Sequence, residues 1–123
     1  MKRKIILIAA ALAFTACGVG KLKEDGNAFM EAWKAGDTAK SFGMMHESLQ
    51  KEVGGAEGWA TMSAGFKPVS WSFSGFNVNA NGEGKLDGSA EGADGKKGDL
   101  ELKFFKVGDV NKVLGFNFKP TPK

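Results

Sequence analysis

The sequence predicts an α+β domain in which helices come first and an antiparallel meander follows. Three observations carry this. Apolar residues recur at steps of three and four as far as Phe66, and they switch to alternate positions after Pro68. Asn81-Gly82, Asp94-Gly95 and Gly108-Asp109 then divide the second half with turn signals. Helices and strands separated along the chain build layered folds. The expected architecture is therefore N-terminal helices packed on a curved antiparallel sheet of about four strands, a cone-like roll.

A segment of another kind stands ahead of the helices. Lys2, Arg3 and Lys4 make a basic start, Ile5 to Phe14 is an unbroken apolar run, and Thr15-Ala16 precedes Cys17, the only cysteine. The apolar run is too short to cross a bilayer, which takes about 20 helical residues. Phe14-Thr15-Ala16-Cys17 resembles the lipobox of bacterial lipoproteins, although Leu is commoner where Phe14 stands. That resemblance implies cleavage before Cys17 and acylation of Cys17 itself. Two plainer readings compete. Secretory cleavage after Ala11-Leu12-Ala13 would leave an odd free thiol in an oxidising compartment, and a buried cytosolic cysteine would make the basic-apolar-small order a coincidence. The order of the three regions favours the lipoprotein.

On that reading residues 1–16 are a signal peptide, 17–24 a lipidated tether, 25–119 the folded domain and 120–123 a tail. Six tether residues, GVGKLK, reach about 20 Å when extended, which keeps the domain near its membrane. Gly18 in place of Asp after Cys17 resembles the pattern sent to the outer membrane. The expected location is the cell envelope, lipid-anchored at the outer membrane and facing the periplasm in a Gram-negative host. In a Gram-positive host it is the outer face of the cell membrane.

Cleavage also changes the charge. Without Lys2, Arg3 and Lys4 the 17 basic residues become 14, equal to the 14 acidic ones, and no arginine remains. The net +3 of the whole chain therefore belongs to the signal, and nucleic acid, which calls for a surviving basic excess, is excluded as a partner. The 107 residues from Cys17 onward suit one small domain with a single core. One cysteine cannot form an internal disulfide. Ten Phe and three Trp with no Tyr make the aromatic content strongly apolar.

From Glu24 to Phe66 the spacing predicts three helices. Phe29 and Trp33 share a face in the first, Phe42, Met45, Leu49 and Val53 in the second, and Trp59, Met62 and Phe66 in the third. Gly36 suits a helix C-terminus and Asp37 the following N-cap, while Gly54-Gly55 closes the second helix. In the first strand Trp71 and Phe73 have one parity and Phe76, Val78 and Ala80 the other. A bulge or bend at Gly75 restores them to one face. Glu83 to Gly92 is a weak strand with only Leu86 as a large apolar residue. Asp99 to Val107 alternates through Leu100, Leu102 and Phe104, and Lys112 to Lys119 through Leu114, Phe116 and Phe118.

The run Phe29-Met30-Glu31-Ala32-Trp33-Lys34-Ala35-Gly36-Asp37, with short helices and a bent meander after it, resembles the nuclear transport factor 2-like superfamily. It is similar in particular to small bacterial lipoproteins of unknown function in that superfamily, some described as lumazine-binding domains. The resemblance spans about Asp25 to Phe118 and implies a curved sheet wrapped around a long N-terminal helix, with a pocket at the open end of the cone. Enzymes of that superfamily pair Asp or His with Tyr. This chain has no Tyr, so no catalytic residue carries over.

The residues themselves offer little chemistry. His46 is the only histidine and has no evident orienting partner. A nucleophilic triad fails because lipidation consumes Cys17 and Ser41, Ser48 and Ser63 lack a G-x-S-x-G setting. Zinc lacks ligands. Asn77 to Gly82 has the alternation of a calcium loop but puts Gly88 where a bidentate Glu belongs, so a strand explains it better. Gly82 to Gly98 is glycine-rich without a phosphate-loop pattern, since Asp87 stands in place of the third glycine. Small residues at Gly84, Gly88 and Ala90 leave inner space, filled by Trp59 or left open.

The expectation is a lipid-anchored envelope protein with a non-catalytic binding domain and no cofactor, attached to the membrane through acylated Cys17. It binds a small apolar ligand in the cone or a protein partner. Trp33, Trp59, Leu102, Phe104, Leu114 and Phe116 are the candidate pocket lining. The rivals are a cone-fold isomerase, dehydratase or hydrolase using His46 with a carboxylate, and an interaction lipoprotein with a filled core.

Overall fold

The computed structural model describes residues 18–121. Cys17 and the expected signal segment lie outside the described residues, as does the end of the tail. Helices come first and the sheet second, as expected. They are α1 (Gly18–Ala35), α2 (Thr38–Gly43), α3 (Glu47–Glu52) and α4 (Gly55–Gly65), then β1 (Pro68–Val78), β2 (Glu83–Gly92), β3 (Lys97–Val107) and β4 (Val110–Pro120). The strands form one open antiparallel sheet in the order β1-β2-β3-β4, the simple meander that short hairpin turns permit.

The α1 helix differs from expectation at its start. GVGKLK is its first third instead of an extended tether. Leu22 supplies the reason: it is buried against the sheet at Gly84, so a tertiary contact holds a segment whose two glycines weaken its helical propensity. At the other end Gly36 takes φ +77°, the left-handed conformation that terminates a helix without a Cβ clash. Asp37 then caps α2, its carboxylate accepting from the Lys40 N–H at 3.1 Å.

The predicted second helix is two helices. Between them Met44 to His46 runs alongside β4, with the Val113 N–H donating to the Met44 carbonyl and the His46 N–H to the Val113 carbonyl, each at 2.8 Å. Lys112 Nζ adds a bond to the Gly43 carbonyl at 2.9 Å. These bonds occupy backbone groups that an edge strand would otherwise leave open, which explains the break.

Bulges shape the sheet. In β1 the register shifts between Phe73, opposite Gly88, and Gly75, opposite Asp87, so Ser74 is the extra residue. This places Trp71, Phe73, Phe76 and Val78 on one face, as the change of parity required. Another bulge is in β4, where Phe104 faces Val113, Lys103 faces Gly115, and Leu114 is the residue left over. The core between helices and sheet contains Phe29, Met30, Trp33, Met45, Leu49 and Trp59 from the helical side and Phe73, Leu86, Leu100, Leu102, Phe104 and Val113 from the strands. Met62, expected inside, is exposed, and Ser63 is buried on α4 in its place.

Candidate functional site

Five of the six residues expected to line a pocket meet in the middle of the domain. Trp33 and Trp59 stand edge to face with ring centres 5.1 Å apart, and Phe116 lies 5.3 Å from Trp33 and 5.5 Å from Trp59. Phe29 stacks on Trp59 at 6.0 Å. These are the separations of rings in contact. Leu102 and Phe104 are buried beside them. Leu114 is not among them. It is half-buried and outside the core because the β4 bulge gives its inward place to Val113.

Polar satisfaction is consistent with a closed interior. The indole N–H of Trp59 donates to Ser41 Oγ at 2.8 Å, and that of Trp33 donates to the Ser63 carbonyl at 3.2 Å. Among the described residues no buried side-chain nitrogen or oxygen lacks a partner. A polar ligand entering here would have no waiting group to bond. The small inner residues of β2 are also accounted for. Leu22 covers Gly84, and Gly88 lies so close to the β1 bulge that a Cβ would meet the Ser72 carbonyl oxygen and Phe73 Cα. Trp59 is not what fills that space.

His46 serves its own helix. It is the N-cap of α3, with Nδ1 accepting from the Ser48 N–H at 3.1 Å and lying 3.0 Å from Ser48 Oγ. Its ring stands edge to face on Phe105 at 5.7 Å. Asn79, in the run with calcium-loop alternation, also works locally. Its Oδ1 accepts from the N–H groups of Asn81 and Glu83, and its Nδ2 donates to Glu83, which closes the β1–β2 turn. Phe76 and Val78 share the inner face by register but are exposed, and Ala80 sits in the turn, so none of the three is inside.

Two shallow depressions mark the surface. One, about 330 Å³, is bordered by Ser74, Asp87, Asp99, Glu101, Asn117 and Lys119, and the other, about 240 Å³, by Ser70, Ser72, Ser89, Glu91 and Lys97 with Trp71 and Ala90 beneath. Their charged and serine residues alternate with the core residues along each strand and so belong to the sheet face away from the helices. Lys85 bridges Glu101 at 3.4 Å there. None of the six expected pocket residues borders either depression. Among the described residues no group of three or more His, Cys, Asp or Glu is placed to hold a metal ion, and no helix is long and apolar enough to cross a membrane.

Sequence reasoning missed the exposed apolar residues at the hairpin tips, Phe76, Val78, Val107 and Val110. The available signal was the position of Val107 and Val110 on either side of a two-residue turn, where a strand has run past its covering helices.

No family model matches the chain, and no curated protein sequence matches it. Solved structures do. A DUF4783 family protein from Bacteroides uniformis superposes with TM-score 0.55 at 12% identity, over 76% of this chain and 94% of that one. Aln2 from a Streptomyces species superposes with TM-score 0.61 at 11% identity, over 83% of this chain and 89% of that one. At such identity the likeness concerns the small α+β fold alone.

Proposed function

We propose that this chain is a lipid-anchored cell-envelope protein whose nuclear transport factor 2-like domain acts by presenting its surface to a protein partner, without catalysis or cofactor. Of the two forms of binding the sequence allows, a ligand in the cone or a partner on the outside, we favour the second. The observation that carries this choice is the interior. Trp33, Trp59 and Phe116, three of the side chains expected to line a pocket, pack on one another, and the two indole N–H groups are bonded within the domain. A binding cavity needs space bounded by such residues and a few converging polar groups. Catalysis by His46 is not our reading, because its Nδ1 is engaged by the helix it caps.

Two measurements test this. Native mass spectrometry of the purified protein should give the mass of the acylated chain alone, and a stoichiometric apolar adduct would overturn the filled-core reading. Metabolic labelling with a fatty acid should mark the wild type and lose that mark in Cys17→Ser. More than one acyl chain is enough for stable anchoring. Equal labelling of the two would remove the anchor.

A further inference from the structure

The two hairpin tips adjoin each other and the start of α1. The Lys106 N–H donates to the Gly82 carbonyl at 2.8 Å, joining the β1–β2 turn to the end of β3. Asn111 Nδ2, just past the β3–β4 turn, donates to Asp25 Oδ2 of α1 at 3.0 Å, and Leu22 covers Gly84 at the start of β2. The first turns of α1 therefore lie at the tip end of the sheet. Near the other end of α1, Trp33 contacts Phe66, which approaches Gly92 at the opposite end of the sheet.

The same end holds most of the exposed apolar surface. Among the described residues six large hydrophobics are exposed, and four of them are Phe76 (55%), Val78 (52%), Val107 (48%) and Val110 (52%). Phe76 pairs with buried Leu86 and Val78 with Gly84, so both share the face under α1 but lie beyond its cover. Val107 and Val110 pair with each other across the β3–β4 turn. By strand parity this pair lies on the sheet face opposite that of Phe76 and Val78, so the four flank the tip end on both sides, over about 15 Å from β1 to β4 at about 4.8 Å per strand.

We propose that this tip end rests on the lipid surface that holds Cys17, with Phe76, Val78, Val107 and Val110 entering the interface. The proposal rests on the reading of Cys17 as the lipid anchor. What selects lipid as the occupant is where the chain leaves the domain. The described helix begins at Gly18, the residue next to Cys17, and continues without a loop to Leu22, which is fixed to the sheet. Four helical residues rise only about 6 Å, so an acyl group on Cys17 brings the tips within reach of the bilayer, and the apolar side chains then keep them there. An anchored domain meets its membrane at high effective concentration, so a modest apolar contact is occupied.

Charge at this end is mixed. Lys21, Lys23 and Lys106 stand with Glu24, Glu83 and Asp109, and Lys21 pairs with Asp25 at 3.2 Å. The contact should therefore depend on the apolar side chains and change little with salt, unlike a polybasic attachment.

The test uses the full-length processed protein in vesicles of phosphatidylethanolamine and phosphatidylglycerol, some carrying nitroxide on their acyl chains. Acylation blocks Cys17, the only native cysteine. A fluorophore can then be placed on Asp109→Cys at the tips or on Lys96→Cys at the opposite turn. Lipid nitroxide should quench the first several-fold more than the second, at low and high salt alike. Combining Phe76→Ser, Val78→Ser, Val107→Ser and Val110→Ser should remove the difference while fatty-acid labelling of Cys17 persists. Equal quenching at the two positions in the acylated protein would overturn the docking and leave the anchor standing. Shielding of position 109 from aqueous iodide without quenching by lipid would mean that a second copy or another protein covers the tips, and would also overturn it. Fatty-acid labelling that survives Cys17→Ser would remove the anchor, and the docking would fall with it.

Discussion

Gly88 lies opposite Phe73 where β1 carries its extra residue, and β1 leaves no room there for a side chain. A methyl group would meet the Ser72 carbonyl oxygen and Phe73 Cα, both of them backbone atoms that cannot step aside. Gly88→Ala should cost about 1–3 kcal/mol, the usual range for overpacking. Gly75, which the change of parity pointed to, has a negative φ and only ordinary contact with Asp87 at 3.7 Å. Gly75→Ala should be neutral or stabilising by a few tenths of a kcal/mol, because it restricts the unfolded chain. Denaturant midpoints of the two variants decide this, and equal midpoints would refute the placement of the bulge. Ser41 is a second sensitive residue. Removing its hydroxyl leaves the Trp59 indole N–H buried without its partner, so Ser41→Ala should cost about 1–3 kcal/mol. In a Trp59→Phe background the loss should largely disappear, since no N–H remains to be satisfied. A Ser41→Ala loss of the same size in that background would refute the role given to this bond.

Among the elements, α1 gives the clearest physical test because its first third was expected to be an extended tether. Lys23 is exposed, six residues into the helix, so its effect there is one of backbone propensity. Lys23→Gly should lower stability by roughly 0.5–1 kcal/mol if GVGKLK is helical and leave it unchanged if the segment is extended. Thermal unfolding measures the difference. Most other boundaries were legible in the sequence because local chemistry sets them. Gly36 and Asp37 end one helix and begin the next, and Gly82, Gly95 and Gly108 take positive φ in the three hairpin turns. Elements set by distant partners were not legible. The start of α1 depends on Leu22 meeting Gly84, and the break between α2 and α3 depends on Val113, more than sixty residues away in sequence. Leu114 and Val113 exchanged roles because a bulge at Leu114 shifts the alternation, and Gly115, which follows it as Gly75 follows Ser74, marks it without any change of parity among the large apolar residues after it. Periodicity placed Trp33, Trp59, Leu102, Phe104 and Phe116 in the layer between helices and sheet. It could not say whether the volume between them was filled, which depends on how the side chains mesh.

For the whole molecule, that question of volume separates a surface-acting domain from a ligand-binding cone. Leu102 discriminates best, since it is fully buried on an inner strand and carries no polar atom. In a filled core Leu102→Ala removes contacts on every side and should cost about 2–5 kcal/mol, whereas at the wall of an open cavity it only enlarges an existing space. A domain of this size has about 5–15 kcal/mol of stability in total, so the larger loss would shift its unfolding midpoint far. Leu102→Trp provides the opposite test. A filled interior has no room for the indole and should lose about 1–3 kcal/mol or more to strain, while a cavity would accept the ring with little change in the midpoint. Both variants destabilised by these amounts is the expected outcome. If Leu102→Trp kept the wild-type midpoint and Leu102→Ala lost less than about 1 kcal/mol, well below the cost of a core truncation, the interior would hold usable space. Binding would then be looked for inside the domain instead of on its surface.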